Sequence, residues 1–399
     1  MQLTNRQLFS QNLAIPAPVP DAIEIEYAEG IFLFDTSGEK YVDLVSGVSV
    51  SNVGHRHPQV VKAIEDQLGK YMHLMVYGKY IQSPQVQLVG LLAQQLPSNL
   101  QSVFLVNSGS EAIEGALKLA KRATGRTEII AFKDSYHGST HGALSVLGNE
   151  RMKSAYRPLL PDITFCPYNH PEILDSITEK TACVVMETIQ AEAGIIIPDK
   201  EWMMQVRKRC TETGTLLVLD EIQMGFGRTG KLMAFEHFDI VPDILCLAKG
   251  MGGGMPIGAF VASTEMMNLL TFKPELGHIT TFGGHPISAA AALASLNIIL
   301  KDNLPTLAEK RGKQFVDLLK KHPKVNEIRQ IGLMLAVEVN PAYSVGKLVK
   351  ILQKNKLIVD MFLFNSSSFR IAPPLTITAD EVNMIAEKVI ASLNELQKT

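Results

Sequence analysis

Short apolar runs alternate with amphipathic stretches through the middle of the chain. SVFLV (102–106), TEIIAF (127–132), ACVVME (182–187), TLLVLD (215–220), ILCLA (244–248) and GAFVAS (258–263) each have the length and composition of a strand. Between them lie segments with helical spacing, among them SGSEAIEGALKLAKRATG and EWMMQVRKRCTETG. Apolar strands separated by such helices predict an α/β fold, with a mostly parallel sheet covered on both faces. In the first helix Ile113, Ala116, Leu117 and Ala120 share one face. Ser108 and Glu111 have the spacing of a capping box, and Gly125 supplies a stop.

The two ends read differently. Residues 20–45 predict short strands around a TSGEK turn. Beyond residue 296 the pattern predicts a helix, a strand pair formed by GLMLAVEV and KLIVD, the stretch FRIAPPL, and a last helix opened by a Thr378–Glu381 capping box. The expected organisation is a large α/β domain over residues 46–295 and a smaller α+β domain built from 1–45 and 296–399. At roughly 150 residues per domain, 399 residues suffice for both.

Composition narrows the function classes. Hydrophobic residues make up 46% and charged residues 20%, ordinary for a globular chain. A formal net charge of −2 gives no footprint for nucleic acid or an anionic membrane, so neither is an expected partner. ISAAAALASLNIIL is too short to span a bilayer and reads as a buried helix. The start, MQLTNRQLFSQNL, lacks the basic and apolar regions of a signal peptide. The four cysteines form no C-x-x-C pair and read as buried free thiols, which points to a reducing, cytoplasmic setting.

Ligands of open parallel sheets bind at the carboxyl ends of the strands. Asn107, Ser108, Gly109, Ser110, Asp134, Tyr136, Glu187, Asp220 and Lys249 all fall at such ends. SGSEA opens a helix, whose free amides and dipole suit a phosphate or an ordinary cap equally. Asp220 suits a carboxylate that holds a proton on a heterocycle, a metal ligand or an ion pair. Lys249, between ILCLA and a glycine-rich loop, suits a nucleophilic amine. Lysine, carboxylate and phosphate cradle together fit pyridoxal phosphate best, with Tyr136 available for the ring face. GFGRTGKL (225–232) matches G-x-x-x-x-G-K, but Leu232 stands where a P-loop needs Ser or Thr. HRH (55–57) lacks further ligands for a metal, so no metal is expected, and His57 reads as part of a turn before Pro58.

NSGSEAIEGALKLAK, SYHGS, LDEIQMGFGRTGK, PDILCLAKGMGGGMPIGA and TTFGGHPISAAAA, in this order, resemble class III aminotransferases of fold type I. The subgroup they are most similar to holds the ornithine and acetylornithine aminotransferases, and the resemblance covers roughly residues 20 to 395. It implies pyridoxal 5'-phosphate in Schiff-base linkage to Lys249, with Asp220 on the pyridinium nitrogen. It implies that Gln223 contacts the ring hydroxyl, that Ile222 and Tyr136 pack on the two ring faces, and that Gly109 and Ser110, beside Ser108, hold the phosphate. Thr281 would reach the cofactor of a neighbouring subunit, which implies a homodimer with shared active sites.

Arg370 matches the family arginine that grips the α-carboxylate of glutamate, and Glu192 the glutamate that covers it when the donor presents a terminal amine. The implied reaction moves an amino group from a terminal-amine donor to 2-oxoglutarate by a ping-pong route. One position departs from the subgroup: Ser139 stands where an arginine usually holds a distal carboxylate, leaving Arg151, Arg157 or Lys79 as substitutes, or a donor without that carboxylate. Ala191 replaces a usual glycine. Ser46, Tyr77 and Tyr80 are further candidates for the lining. The other readings are an ω-amine:pyruvate or diamine transaminase, a mutase or racemase relative, and, from another class, a P-loop protein acting through Lys231.

Overall fold

The computed structural model describes residues 3–18 and 21–398; the parts of the expected small domain at 1–2, 19–20 and 399 lie outside it. Three strands come first: β1 (Ile25–Glu29), β2 (Phe32–Asp35) and β3 (Lys40–Asp43). Seven follow: β4 (Ser102–Val106), β5 (Glu128–Phe132), β6 (Ile163–Cys166), β7 (Thr181–Glu187), β8 (Leu216–Asp220), β9 (Ile244–Leu247) and β10 (Gly258–Ala262). The last four are β11 (Val325–Ile331), β12 (Met334–Val339), β13 (Leu357–Ile358) and β14 (Ser368–Ile371).

The seven middle strands form one sheet in the order β4-β10-β9-β8-β7-β5-β6. Pairs from β9 to β6 are parallel, while β10 runs against both neighbours. Two reversals cancel, so β4 points the same way as β5 to β9, and its loop reaches the same rim as theirs. That rim carries the chemistry. Glu187 and Asp220 share one rung at the ends of β7 and β8, and Lys249 lies two residues past β9.

The helix Gly109–Thr124 presses on this sheet where Gly115 meets Phe260; any Cβ at Gly115 would collide with that ring. Its stop is Gly125, at φ +68°. At its start only half of the expected box forms. Ser108 Oγ accepts from Glu111 N at 3.2 Å, but the Glu111 carboxylate turns to Asn107, accepting from its N at 2.7 Å. The Thr378 box is complete. The alanine-rich segment forms the buried helix Pro286–Lys301. Among the described residues no single helix is long and apolar enough to cross a membrane.

The ends of the chain interleave. β13 pairs in parallel with β3, completing the sheet β1-β2-β3-β13, while β12 sits between β11 and β14 in a third sheet. GLMLAVEV and KLIVD are therefore not partners, contrary to the sequence expectation. The two residues of β13 find an open edge on β3, and β12 is already flanked on both sides.

GFGRTGK forms no phosphate loop. Amides of Gly227 and Gly230 are spent on Leu232 O and Gly227 O. The Arg228 side chain is fully buried and donates to Leu333 O (3.0 Å), Pro373 O (2.6 Å) and Asn52 Oδ1 (2.7 Å). Burial pushes its pKa down to about 9. Lys231 is left exposed. His57 caps the helix Pro58–Leu68, accepting from Gln59 N at 3.3 Å.

Candidate active site

A cavity of about 480 Å³ opens at the rim, a size suited to a cofactor and a small substrate. Ser108, Gly109, Ser110, Tyr136, Asp220, Ile222, Gln223 and Lys249 all line it, as do His137 and Glu187. Asp134 does not; it sits in the following turn with Asn149 Nδ2 on its carboxylate at 3.2 Å.

Lys249 holds its backbone at φ +46°, in the left-handed region, which costs a non-glycine residue on the order of 1 kcal/mol. The turn aims its amine inward, where Nζ donates to Gln223 Oε1 at 3.4 Å. Burial lowers the pKa of this amine, favouring the neutral nucleophile. Asp220 is 4% exposed and fully engaged. Ile222 N donates to Oδ1 at 2.9 Å and His137 Nδ1 lies 2.7 Å from Oδ2. On the neighbouring strand Glu187 accepts from Tyr136 N (3.0 Å) and Ala191 N (2.9 Å), and burial raises it to about 7. Sequence reasoning gave no role to His137, whose signal was its place beside Tyr136 in SYHGS.

Opposite these, the helix Gly109–Thr124 makes its first intrahelical bond only from Ala112 N to Ser108 O. Amides 109 and 110 thus have no acceptor within the helix. Gly109 lets Ile222 close in: a Cβ there would come within 2.8 Å of Ile222 Cδ1. Gly138, at φ +126°, abuts Ser110 Oγ, which accepts from Ser139 N at 3.2 Å.

Glu192 and Arg370 are not among the lining residues, yet both bear on the charge of Lys249. They form a buried ion pair, Nη2 to Oε1, at 2.7 Å. Thr281 is exposed and outside the cavity. Ser46 is buried and donates to Ala372 O at 2.8 Å. Tyr77 and Lys79 line a second cavity of about 580 Å³, and Tyr80 is exposed. Arg157 is engaged by Glu150 at 2.8 Å, and Arg151 is exposed. Lys249 is thus the only lysine or arginine among the described residues that line the first cavity.

The family model of class-III aminotransferases matches residues 16–393. The chain belongs to the class III aminotransferases. It is 39% identical over 367 residues to the acetylornithine aminotransferase of Methanopyrus kandleri, covering 92% of each chain. The fold superposes on the ornithine aminotransferase of Toxoplasma gondii ME49 with a TM-score of 0.91, at 28% identity, over 99% of this chain and 96% of that one. An (S)-enantioselective omega-transaminase from Thermomicrobium roseum gives a TM-score of 0.88 at 25% identity, over 97% of each chain. The fold is that of the fold type I pyridoxal-phosphate enzymes.

This aminotransferase works with pyridoxal 5'-phosphate, an amine and a 2-oxo acid, and the cavity fits that cofactor. The helix start offers amides to a phosphate. Asp220 offers a carboxylate held in place on both oxygens. Gln223 Nε2 is a buried donor with no partner among the described residues, as the contact to a ring oxygen requires. When bound, the cofactor supplies an electrophilic carbon for an amine and a sink for the electrons released at the substrate carbon.

Proposed function

We propose that this aminotransferase takes an amino group from a primary amine at the end of a carbon chain and delivers it to 2-oxoglutarate. The buried Glu192–Arg370 pair carries this reading. A lone arginine would draw the carboxylate of an α-amino acid to Lys249; covered by Glu192, it presents no net positive charge, and a terminal amine can take the same place. When a diacid arrives, the guanidinium offers it a charge-assisted fork. Lys249, with its lowered pKa, accepts a proton from the substrate carbon and returns it on the cofactor side. Asp220, braced by His137, would keep a ring nitrogen protonated. Gly109 and Ser110, beside Ser108, would hold the phosphate, and Ile222 and Tyr136 would bound the ring.

We infer a donor without a carboxylate at its far end, because Ser139 cannot form the fork of an arginine and, among the described residues of one protomer, no lysine or arginine but Lys249 lines the cavity. Acetylornithine turnover above roughly 10⁴ M⁻¹s⁻¹ in kcat/KM would sink this part. The likeness to an omega-transaminase favours one second reading, with pyruvate as acceptor. Visible absorbance of the purified enzyme, before and after L-glutamate, tests the main reading. Bleaching of the cofactor band supports glutamate as partner; bleaching by L-alanine alone selects the second reading.

We also propose a homodimer. Met72, Ile81, Phe272, Leu276, Ile279 and Phe282 are between 48% and 94% exposed around the second cavity and Thr281, a large apolar area for a monomer. Thr281 then serves the partner's phosphate, and light scattering in solution tests the dimer. The domain division at 46–295, with 1–45 and 296–399, accords with the pairing of β13 on β3. A reducing, cytoplasmic setting suits four free, buried cysteines.

A further inference from the structure

The Arg370 guanidinium is 1% exposed and faces two acids. Glu192 Oε1 takes Nη2 at 2.7 Å, and Asp360 Oδ1 lies 3.4 Å from Nε. The second contact is an ion pair without a hydrogen bond. Arg370 Nε and Nη1 and Asp360 Oδ1 are all buried with no hydrogen-bond partner among the described residues.

The two acids are held differently. Arg370 N donates to Asp360 O at 2.9 Å, and Met361 bridges Phe369, so Asp360 and Arg370 are fixed to each other through their backbones. Glu192 reaches in from the loop after β7. Among the described residues its other oxygen, Oε2, accepts only from Leu363 N, at 3.1 Å. Phe362 supports the guanidinium at 4.7 Å from its ring centre. The Glu192 backbone is anchored too, its O accepting from Phe364 N at 3.0 Å, so what can leave is its carboxylate, by rotation of the longer side chain, while the backbone bond keeps Asp360 beside Arg370.

A buried guanidinium stripped of its only acid is strongly disfavoured. With Asp360 present, departure of Glu192 still leaves Arg370 paired. With Glu192 in place, the two carboxylates repel each other across one cation. Both effects narrow the gap between the covered arginine and the uncovered one. An incoming carboxylate takes the place of Glu192 with the same charge. Asp360 therefore opposes the ligand and Glu192 alike, so it changes the speed of exchange and leaves its equilibrium nearly untouched.

We propose that Asp360 is a standby counter-ion that lets Arg370 trade Glu192 rapidly for the carboxylate of an amino or 2-oxo diacid. It is a positioning residue for the glutamate half-reaction. The inference rests on Arg370 being the carboxylate clamp. Burial raises the Asp360 pKa to about 6; the charged groups that face it are Arg370 on β14, Glu192 after β7 and Asp43 on β3. Protonation removes the counter-charge, so exchange slows as the pH falls through about 6.

The test uses the holoenzyme and glutarate, a diacid with no amine or carbonyl to react. Stopped-flow gives the association and dissociation rates, and calorimetry gives Kd. In Asp360→Asn both rates fall about tenfold while Kd stays within about twofold. The glutamate half-reaction slows about tenfold relative to the terminal-amine half-reaction. Adding Glu192→Ala to Asp360→Asn restores fast association, because no acid then has to leave, while dissociation stays slow and Kd falls, because release would strand the guanidinium without an acid. Wild-type enzyme taken from pH 7.5 to 5.5 shows the same slowing without any substitution, and Asp360→Asn does not respond. Unchanged rates in Asp360→Asn, or association that stays slow in the double variant, overturn the proposal. Arg370→Gln separates it from its premise: loss of glutarate binding upholds the clamp whatever Asp360 does, and retained binding overturns the clamp itself.

Discussion

Asp220 and Arg370 are both charged, both buried, and both within electrostatic reach of Lys249, yet they are held in opposite ways. Each Asp220 oxygen has a partner, one on its own backbone turn and one on His137, and its rung is shared with Glu187. Arg370 keeps Nε and Nη1 without hydrogen bonds, and its closest acid comes from a loop. On the cofactor side the carboxylate is held on both oxygens in advance, and only donors such as Gln223 Nε2 wait for the one group it meets. On the proposed reading the substrate side meets two substrates of different charge, and part of its bonding capacity is uncommitted.

Five substitutions break or sharpen this contrast. Lys249→Ala removes the proposed proton carrier; single-turnover rates of both half-reactions should fall by about 10⁴-fold while the phosphate cradle still retains cofactor. Asp220→Asn and Arg370→Lys should each cost roughly 10²-fold, distributed differently. The first slows both half-reactions in kcat. The second raises KM for 2-oxoglutarate and spares the terminal amine, and an equal loss in both half-reactions would erase the distinction between the two sides. Gly138→Ala places a methyl group against Ser110 at φ +126°. It should cost about 1–3 kcal/mol in thermal or denaturant unfolding and loosen cofactor retention. The smallest effect is a gain: Ser139→Arg should raise kcat/KM for acetylornithine about tenfold, by supplying the missing fork. No gain would mean that the donor's far end lies elsewhere.

Much of the cofactor side was legible in the sequence because strand ends are local features. SVFLV, ACVVME and TLLVLD are found as strands within one residue of their expected limits, and their ends deliver Ser108, Glu187 and Asp220 to one rim. What stayed hidden depends on pairing across long separations. The reversed β10 looks like any apolar run. KLIVD joins β3, more than 300 residues earlier, which no spacing reveals. The half-formed box at Ser108 fails because Asn107 competes for the Glu111 carboxylate. His137 looked like a loop residue until its ring was seen on Asp220. Asp360 gave no signal, since its value comes from a backbone bond to Arg370.

Arg228 has a further consequence. Its three buried bonds join the strand region of Arg370, through Leu333 and Pro373, to Asn52. Asn52 in turn sits so tightly on Gly250, next to Lys249, that a side chain at residue 250 would collide with it. The span from the Lys249 amine to the Arg370 guanidinium is thereby set by a stiff train of contacts, like the jaws of a caliper. Every α-amino acid has the same spacing between its nitrogen and its carboxylate, whatever its side chain. On the proposed reading, a caliper freed of Glu192 admits that class by its dimensions, and one covered by Glu192 leaves the place to a terminal amine.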